Sequence, residues 1–447
     1  MIKKFVQTIQ NIWKIEDLRT RIGYTLLFVL LYRVGSFVVL PGIDANKLGA
    51  LESQTDEGLM ALLNMFSGGA FSNASIFALG IMPYISASIV VQLLAIAVPS
   101  FQKMQREGES GRRKINQITR WLTLFILLFQ APSYLLNLQH TSGAALGAGL
   151  DWTFFMISST IILAAGSMFI LWLGERITDK GIGNGVSIII MIGIIARFPL
   201  AITQEFTSRV EGAVGSGLIM FVIELLMFVA VICAGVALLQ GTRRVPVQYA
   251  KQSASGATYS GARQYLPLKV NAANVMPIIF AQAILFIPLA FVSYGGTEAE
   301  SSWFVRNMMD HTGWLYNLIF AVMIIVFTYF YTAITINPVQ MAEDMKSNNG
   351  FIPGIKPGKP TAEYIDTVMT RITFPGSLFL AGIAVLPAIA GKLLGVQTEF
   401  ASFFGGTSLL ILVGVVLDTL QQIESHLLMR HYDGLMKTGR LQGRSGM

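Results

Sequence analysis

A single cysteine, Cys233, lies within an apolar block, so no internal disulfide can brace this chain. Charge is also scarce. Asp, Glu, Lys and Arg make up 13% of the 447 residues, roughly half of the ~25% usual in soluble domains. Catalytic signatures are missing too. Only four histidines occur and no HExxH pair is present, which removes the commonest zinc-hydrolase pattern. The nearest approach to a phosphate-binding loop, Gly358-Lys359-Pro360, lacks both the leading glycine and the hydroxyl residue of that motif. Nothing matches a nucleophile elbow. No enzyme is expected, and no cofactor or metal. Any work done through this chain must draw on an ion gradient or on a partner.

What the chain has in abundance is apolar residues, 53% of the total. They gather into blocks long enough to cross a ~30 Å hydrocarbon layer, which takes about 20 helical residues. Ten are predicted: Ile22–Leu40, Ser75–Val98, Ile118–Leu138, Phe154–Leu173, Val186–Ile202, Leu218–Leu239, Val275–Val292, Leu315–Ile336, Phe374–Leu394 and Phe403–Leu427. An all-α membrane bundle follows, because backbone in lipid must satisfy its own hydrogen bonds and no barrel-like alternation occurs. The segment before the first block is polar and basic, unlike a cleavable signal peptide, so it is expected to be retained.

Lys and Arg set the sidedness. The N-terminal segment, the even-numbered loops and the C-terminal tail hold 26 of the 32 basic residues, which predicts that both termini are cytoplasmic. Two of these loops are long. Gly241–Asn274 carries Arg243, Arg244, Lys251, Arg263 and Lys269 with no acidic residue, and Asn337–Thr373 contains the turn-rich GFIPGIKPGKP. Together they suggest a docking platform for something large and acidic. The ten spans divide near Thr207–Gly217 into a half of residues 1–210 (spans one to five) and a half of residues 211–447 (spans six to ten, loops 241–274 and 337–373, and the tail). An odd number of spans in each half is the arithmetic of an inverted repeat.

An ion-coupled transporter would place carboxylates deep in its spans, and the candidates are Glu224, Asp418 and Glu424. None forms an obvious mid-membrane pair. Arg33, mid-way along the first span, is the least favourable residue for lipid and reads as a packing or pairing group inside the bundle. The stretch MFSGGAFSNASIFALGIMPYISASIVVQLL, Met65–Leu94, is also odd. It opens with glycines, Ser and Asn, and its helical part carries Pro83, Ser86, Ser88 and Gln92. Ile81, Ile85 and Ile89 recur every four residues and so share one helical face; Val186 and Ile190 repeat the spacing.

Several stretches are recognisable together: YRVGSF (32–37), NMFSGGAFSNASIFALGIMPYISAS (64–88), EGESGRRK (107–114), WLGERITDKGIGNGVSIII (172–190), LPLKVN (266–271), FIPGIKPG (351–358), YIDTVMTR (364–371) and FGGTSLLI (404–411). In this order along nearly the whole chain, they closely resemble the bacterial SecY family of protein-secretion channels. The resemblance implies a clam-shaped channel in the plasma (inner) membrane. It would open across the membrane for unfolded secretory chains and sideways for hydrophobic helices. A secondary transporter and a non-conducting scaffold are the rival readings.

The resemblance also implies roles for particular residues. A plug half-helix of about Gly58–Asn73 would include Met60, Leu63, Phe66, Gly68 and Gly69. A pore ring would comprise Ile81, Ile85, Val186, Ile190, Ile279 and Ile411. Branched apolar side chains can exclude water by dewetting, yet offer a sliding chain no fixed hydrogen bonds. Gln92 and Asn271 would form the polar seam of the lateral gate. Arg243, Arg244, Lys251, Lys356 and Arg371 would dock cytoplasmic partners. Lys356 stands where many members carry Arg, keeping the charge but not the planar fork. The implied partners are the small membrane subunits SecE and SecG, the SecA motor ATPase, the ribosome through its RNA, unfolded precursors and the lipid bilayer.

Overall fold

The computed structural model describes residues 13, 15–44, 48, 64–142, 151–212, 217–249, 264–282, 284–285, 307, 313–404 and 406–438. The chain forms two compact units, Met1–Leu200 with Val415–Met447, and Ala201–Gly414. Their boundaries therefore fall inside two long helices rather than in loops.

The first unit contains α1 (Glu16–Ser36), α2 (Met82–Ala97), α3 (Pro99–Arg106), α4 (Glu109–Ser142), α5 (Trp152–Lys180) and most of α6 (Gly185–Gly212). Its α4 packs on α2 and α5, and α1 packs on α5. Leu40, Phe71, Ala131, Tyr134, Leu135, Phe155 and Leu163 meet in one buried core. Glycines bring two of these helices into contact: a Cβ on Gly185 would lie 1.9 Å from the carbonyl oxygen of Gly174.

The second predicted span begins later than its hydropathy suggests. Residues 75–81 are turns, and helix starts only at Met82. The backbone explains the delay. Ala74 and Gly80 have φ of 45° and 55°, outside the right-handed helical region, and Pro83 is suited to a first helical turn. At the other end α2 and α3 meet at 102°. Val98 is extended there, the conformation that a following proline favours.

The second unit contains α7 (Gly217–Gln240), α8 (Trp314–Thr335), α9 (Pro338–Ser347), α10 (Lys359–Leu394), the short α11 (Thr398–Ala401) and the start of α12 (Gly406–Thr438). Ile278, Ala281, Phe320, Ile324, Leu380, Ala384 and Leu410 build its apolar core. Among the described residues seven helices are long and apolar enough to cross a membrane, or eight if the bent α2–α3 pair is one span. On α7 the apolar side chains face outward: Leu218, Ile219 and Leu226 are 60%, 65% and 66% exposed. Hydrocarbon as apolar as leucine can solvate such a surface. Of the predicted span Val275–Val292, only residues up to 285 are described.

Both long loops of the second unit contribute to a feature the hydropathy did not announce. β1 (Thr242–Tyr249), β2 (Gln264–Lys269) and β3 (Gly350–Phe351) form an antiparallel sheet in the order β2-β1-β3. Arg243 stands opposite Leu268 and Gln248 opposite Phe351. Among the described residues β3 pairs only with Gln248 and Tyr249, which leaves the β3-side edge of β1 unpaired at Pro246, where a strand tolerates proline. Beneath the sheet Val245, Val247, Leu268, Met345, Ile352, Ile365 and Met369 make a separate core.

Candidate functional site

The Ser- and Asn-rich stretch before α2 is buried inside the first unit. Residues 64–67 make a helical turn and residues 68–81 a series of turns. A turn-rich segment in an apolar setting must supply hydrogen bonds that a helix would otherwise provide. Its own side chains do this. The Asn64 Oδ1 accepts from the Ser72 amide at 3.1 Å, and the Ser67 Oγ accepts from the Phe71 amide at 3.1 Å. Ser67 Oγ also donates to the Asn64 carbonyl, while Ser75 Oγ donates to Ala70 O and accepts from the Phe77 amide. Leucine or valine could do none of this, so the polar residues are what allow non-helical backbone here. Gly68 and Gly69, at φ 66° and 88°, take conformations that a Cβ disfavours.

Three side chains from neighbouring helices also reach the segment's carbonyls. Tyr32 OH donates to Ser67 O, Arg33 Nη1 to Gly68 O and Tyr134 OH to Phe71 O. Of the predicted plug residues, Phe66 and Gly68 are buried and Gly69 is half-buried. Met60 and Leu63 lie outside the described residues.

The predicted ring residues divide between the units. Ile81, Ile85, Val186 and Ile190 belong to the first, and Ile279 and Ile411 to the second. Ile81 caps the N-terminus of α2, one turn before Ile85. Val186 follows a turn fixed from two sides. Thr25 Oγ1 accepts from the Ile182 amide at 3.1 Å, and Gln422 Oε1 accepts from the Gly183 amide at 2.9 Å. Gly183 permits that turn with φ 83°. Ile81, Ile190 and Ile411 are buried, whereas Ile85, Val186 and Ile279 are half-buried.

Of the predicted seam, Gln92 is half-buried on α2 and donates to Ser88 Oγ at 3.3 Å. Asn271 is buried in the second unit and donates to the Asn274 carbonyl at 3.0 Å; its Oδ1 has no partner among the described residues. The predicted docking residues Arg243, Arg244, Lys356 and Arg371 are all exposed. Among the described residues none of the four enters a salt bridge. The sheet and its core draw the two basic loops into one body, and Thr361 Oγ1 fixes the second by donating to Lys356 O at 2.9 Å. Lys251 lies outside the described residues.

The SecY family model matches residues 75–420. The protein translocase subunit SecY of Thermotoga maritima is 39% identical over 443 residues, covering 98% of this chain and 99% of that protein. The chain belongs to the SecY family. Corynebacterium glutamicum SecY is 42% identical over 443 residues, with 95% of this chain and 98% of the relative covered. Among solved structures, a protein conducting channel matches with a TM-score of 0.62 at 15% identity, covering 95% of each chain. Sec61 from a canine ribosome-channel complex matches at 0.58, with the same identity and coverage. These two establish the shared fold.

Residues outside any motif or helical spacing also organise this SecY-family chain. Nothing local marks the hydroxyls of Tyr32 and Tyr134 as ones that meet carbonyls on a distant segment. Arg209 follows the fifth predicted span, and nothing in the neighbouring sequence ties it to Glu224. It donates through Nε to Glu205 at 2.8 Å and through Nη2 to Glu224 at 2.6 Å. Glu224, a candidate coupling carboxylate, is thus held in a buried cluster, while Asp418 and Glu424 are exposed. The sheet did leave a signal, the alternation in TRRVPVQY that buries Val245 and Val247.

Proposed function

We infer that the chain is the channel subunit of a protein translocase, conducting unfolded secretory polypeptides across a bacterial plasma membrane and releasing hydrophobic helices sideways into lipid. The observation that carries this is full-length kinship with protein translocase subunits, at 39–42% identity over nearly the whole of each chain. The buried, self-satisfied segment at 64–81 adds support, as do the branched apolar residues at the assigned ring positions. In this reading the ring residues Ile81, Ile85, Val186, Ile190, Ile279 and Ile411 are the constriction, and residues 58–73 are the plug. Gln92 and Asn271 form the polar seam of the lateral gate. Both termini are cytoplasmic, and the chain has no catalysis of its own. SecA or a translating ribosome supplies the drive, and SecE and SecG complete the channel.

The test is site-specific crosslinking to a translocation-arrested precursor in sealed vesicles. Photoreactive groups at Ile85 and Ile190 are expected to capture the precursor, while those at the exposed Leu226 capture lipid. Capture at Leu226 but at neither ring position would overturn the assignment.

The exposed Arg243 and Arg244 support docking to a polyanion such as ribosomal RNA. Replacing both with Gln is expected to lower ribosome affinity and to reduce the log–log salt slope by about 2, since each phosphate contact contributes close to one unit. Binding measured between low and physiological salt checks this; an unchanged slope would place the contacts elsewhere.

A further inference from the structure

Arg33 and Tyr32 belong to neither the ring, the seam nor the docking loops, yet both reach the segment read as the plug. Three donors converge on carbonyls between residues 67 and 71: Tyr32 OH to Ser67 O at 3.1 Å, Arg33 Nη1 to Gly68 O at 3.0 Å and Tyr134 OH to Phe71 O at 2.8 Å. All three acceptors are backbone atoms. The three donors therefore read the segment's main chain, which the missing side chain of Gly68 leaves open to Arg33.

The segment's other contacts define a seat. A Cβ on Gly68 would stand 2.9 Å from the Cα of Gly193 and 2.8 Å from Arg33 Nη1, so the segment and α6 approach backbone to backbone. Gly193 follows Ile190 by three positions and Val186 by seven, which puts all three on one face of α6. The segment's far end is held differently. Leu40 donates its amide to Ala74 O and Ile76 donates its amide to Val38 O, each at 2.9 Å. Phe77 fills slots left by the missing side chains of Gly35 and Gly166. One end is thus bound through main-chain pairing, and the other through three side chains and a glycine contact.

We propose that Tyr32, Arg33 and Tyr134 form a latch that keeps residues 64–71 seated against the Val186–Ile190–Gly193 face of α6. The proposal rests on reading that segment as a plug. Arg33 is the strongest member, because a charged donor makes a stronger hydrogen bond than a phenol. Its guanidinium also lies 5.3 Å from the centroid of the Phe37 ring, which orients it. A positive charge part-way along an apolar helix, unfavourable in lipid, is here directed to a carbonyl. The three are positioning residues that act on the seating of the segment.

The test uses the full chain reconstituted with its partner subunits in vesicles, with Cys233 replaced by Ser. Ser72→Cys, at a position 7% exposed, reports unseating through its labelling rate with a water-soluble maleimide. Adding Arg33→Met is expected to raise that rate about tenfold, the equivalent of about 1.4 kcal/mol. Arg33→Lys keeps one charged donor and is expected to recover part of the protection. Tyr134→Phe removes a single neutral hydrogen bond and is expected to raise the rate roughly threefold. Labelling of Ser167→Cys, buried in α5, is expected to stay at its parent rate, which separates unseating from unfolding. Resting ion conductance in planar bilayers is expected to rise in the same order.

If Arg33→Met matches its parent in both measurements while deletion of Gly58–Asn73 leaks ions, the latch is wrong and the plug reading stands. If the deletion also fails to leak, the plug reading falls and the latch with it. Should Arg33→Met not insert, Tyr134→Phe decides by the same two measurements.

Discussion

Arg209→Ala is expected to destabilise the second unit by about 3–5 kcal/mol, the usual cost of removing one member of a buried ion pair. Glu205 and Glu224 are 1% and 0% exposed in their side chains, and Arg209 is the cation salt-bridged to both. The guanidinium also donates to the carbonyls of Leu394 and Gly395 at 2.8 and 3.0 Å, while Glu205 Oε2 accepts from the Gln397 amide at 2.9 Å. Removing Arg209 leaves two buried carboxylates without their cation and the Leu394 carbonyl without its donor, with Glu205 keeping only the Gln397 amide. Thermal unfolding in detergent would register the loss as a lower midpoint and a poorer yield of folded protein.

Glu224→Gln makes the contrasting case. The amide keeps an oxygen for Arg209, and the cluster changes from two carboxylates on one cation to one. The expected change is small, under about 1 kcal/mol, with precursor transport retained. An ion-coupled transporter would instead lose coupling with this carboxylate, so abolished transport in a well-folded Glu224→Gln chain would favour that rival. Combining Glu224→Gln with Arg209→Ala is expected to recover part of the stability, because fewer buried charges remain unpaired.

Two glycines in the first unit are expected to give large and distinguishable effects when replaced by alanine. A Cβ at Gly166 would lie 2.1 Å from the carbonyl oxygen of Ile76, and one at Gly35 would lie 2.0 Å from Cε2 of Phe77. Either substitution overpacks a closed interior, at about 1–3 kcal/mol or somewhat more. The obstacles differ. At Gly35 the atom in the way is part of a side chain, so Phe77→Ala in the same chain is expected to relieve the strain. At Gly166 it is backbone, so the same second substitution is expected to leave the defect in place. Melting points of the two single and two double variants decide the matter; equal rescue of both would show that residues 76–77 can shift, contrary to the packing described.

Much of this molecule is written in local pattern. Runs of apolar residues reveal membrane helices because lipid demands length and hydrophobicity from each span separately, and α7 meets that demand within 24 residues. Where local backbone chemistry overrides hydropathy, the boundary moves: hydropathy extends the second predicted span back to Ser75, yet Ala74, Gly80 and Pro83 delay the helix to Met82. The sheet was partly legible, since Val245 and Val247 alternate with exposed residues. Its third strand comes from a loop about a hundred positions away, Phe351 pairing with Gln248, and nothing near either residue announces the other.

The assigned site divides in the same way. Ile81 with Ile85 and Val186 with Ile190 stand out through their helical spacing, and Gly68 and Gly69 through the turn they permit. Arg33 was noticeable because a charge in an apolar span needs a partner, but its acceptor, the carbonyl of Gly68, has no side chain to betray it. By itself, then, the sequence determined the helical membrane class and the family, because apolar length and linear motifs are properties of neighbouring residues. Only the tertiary structure decided that Tyr134 meets Phe71, and that Glu205 holds Gln397 across 192 positions. Such bonds depend on where the folded backbone brings a donor, and periodicity along a chain carries no record of that.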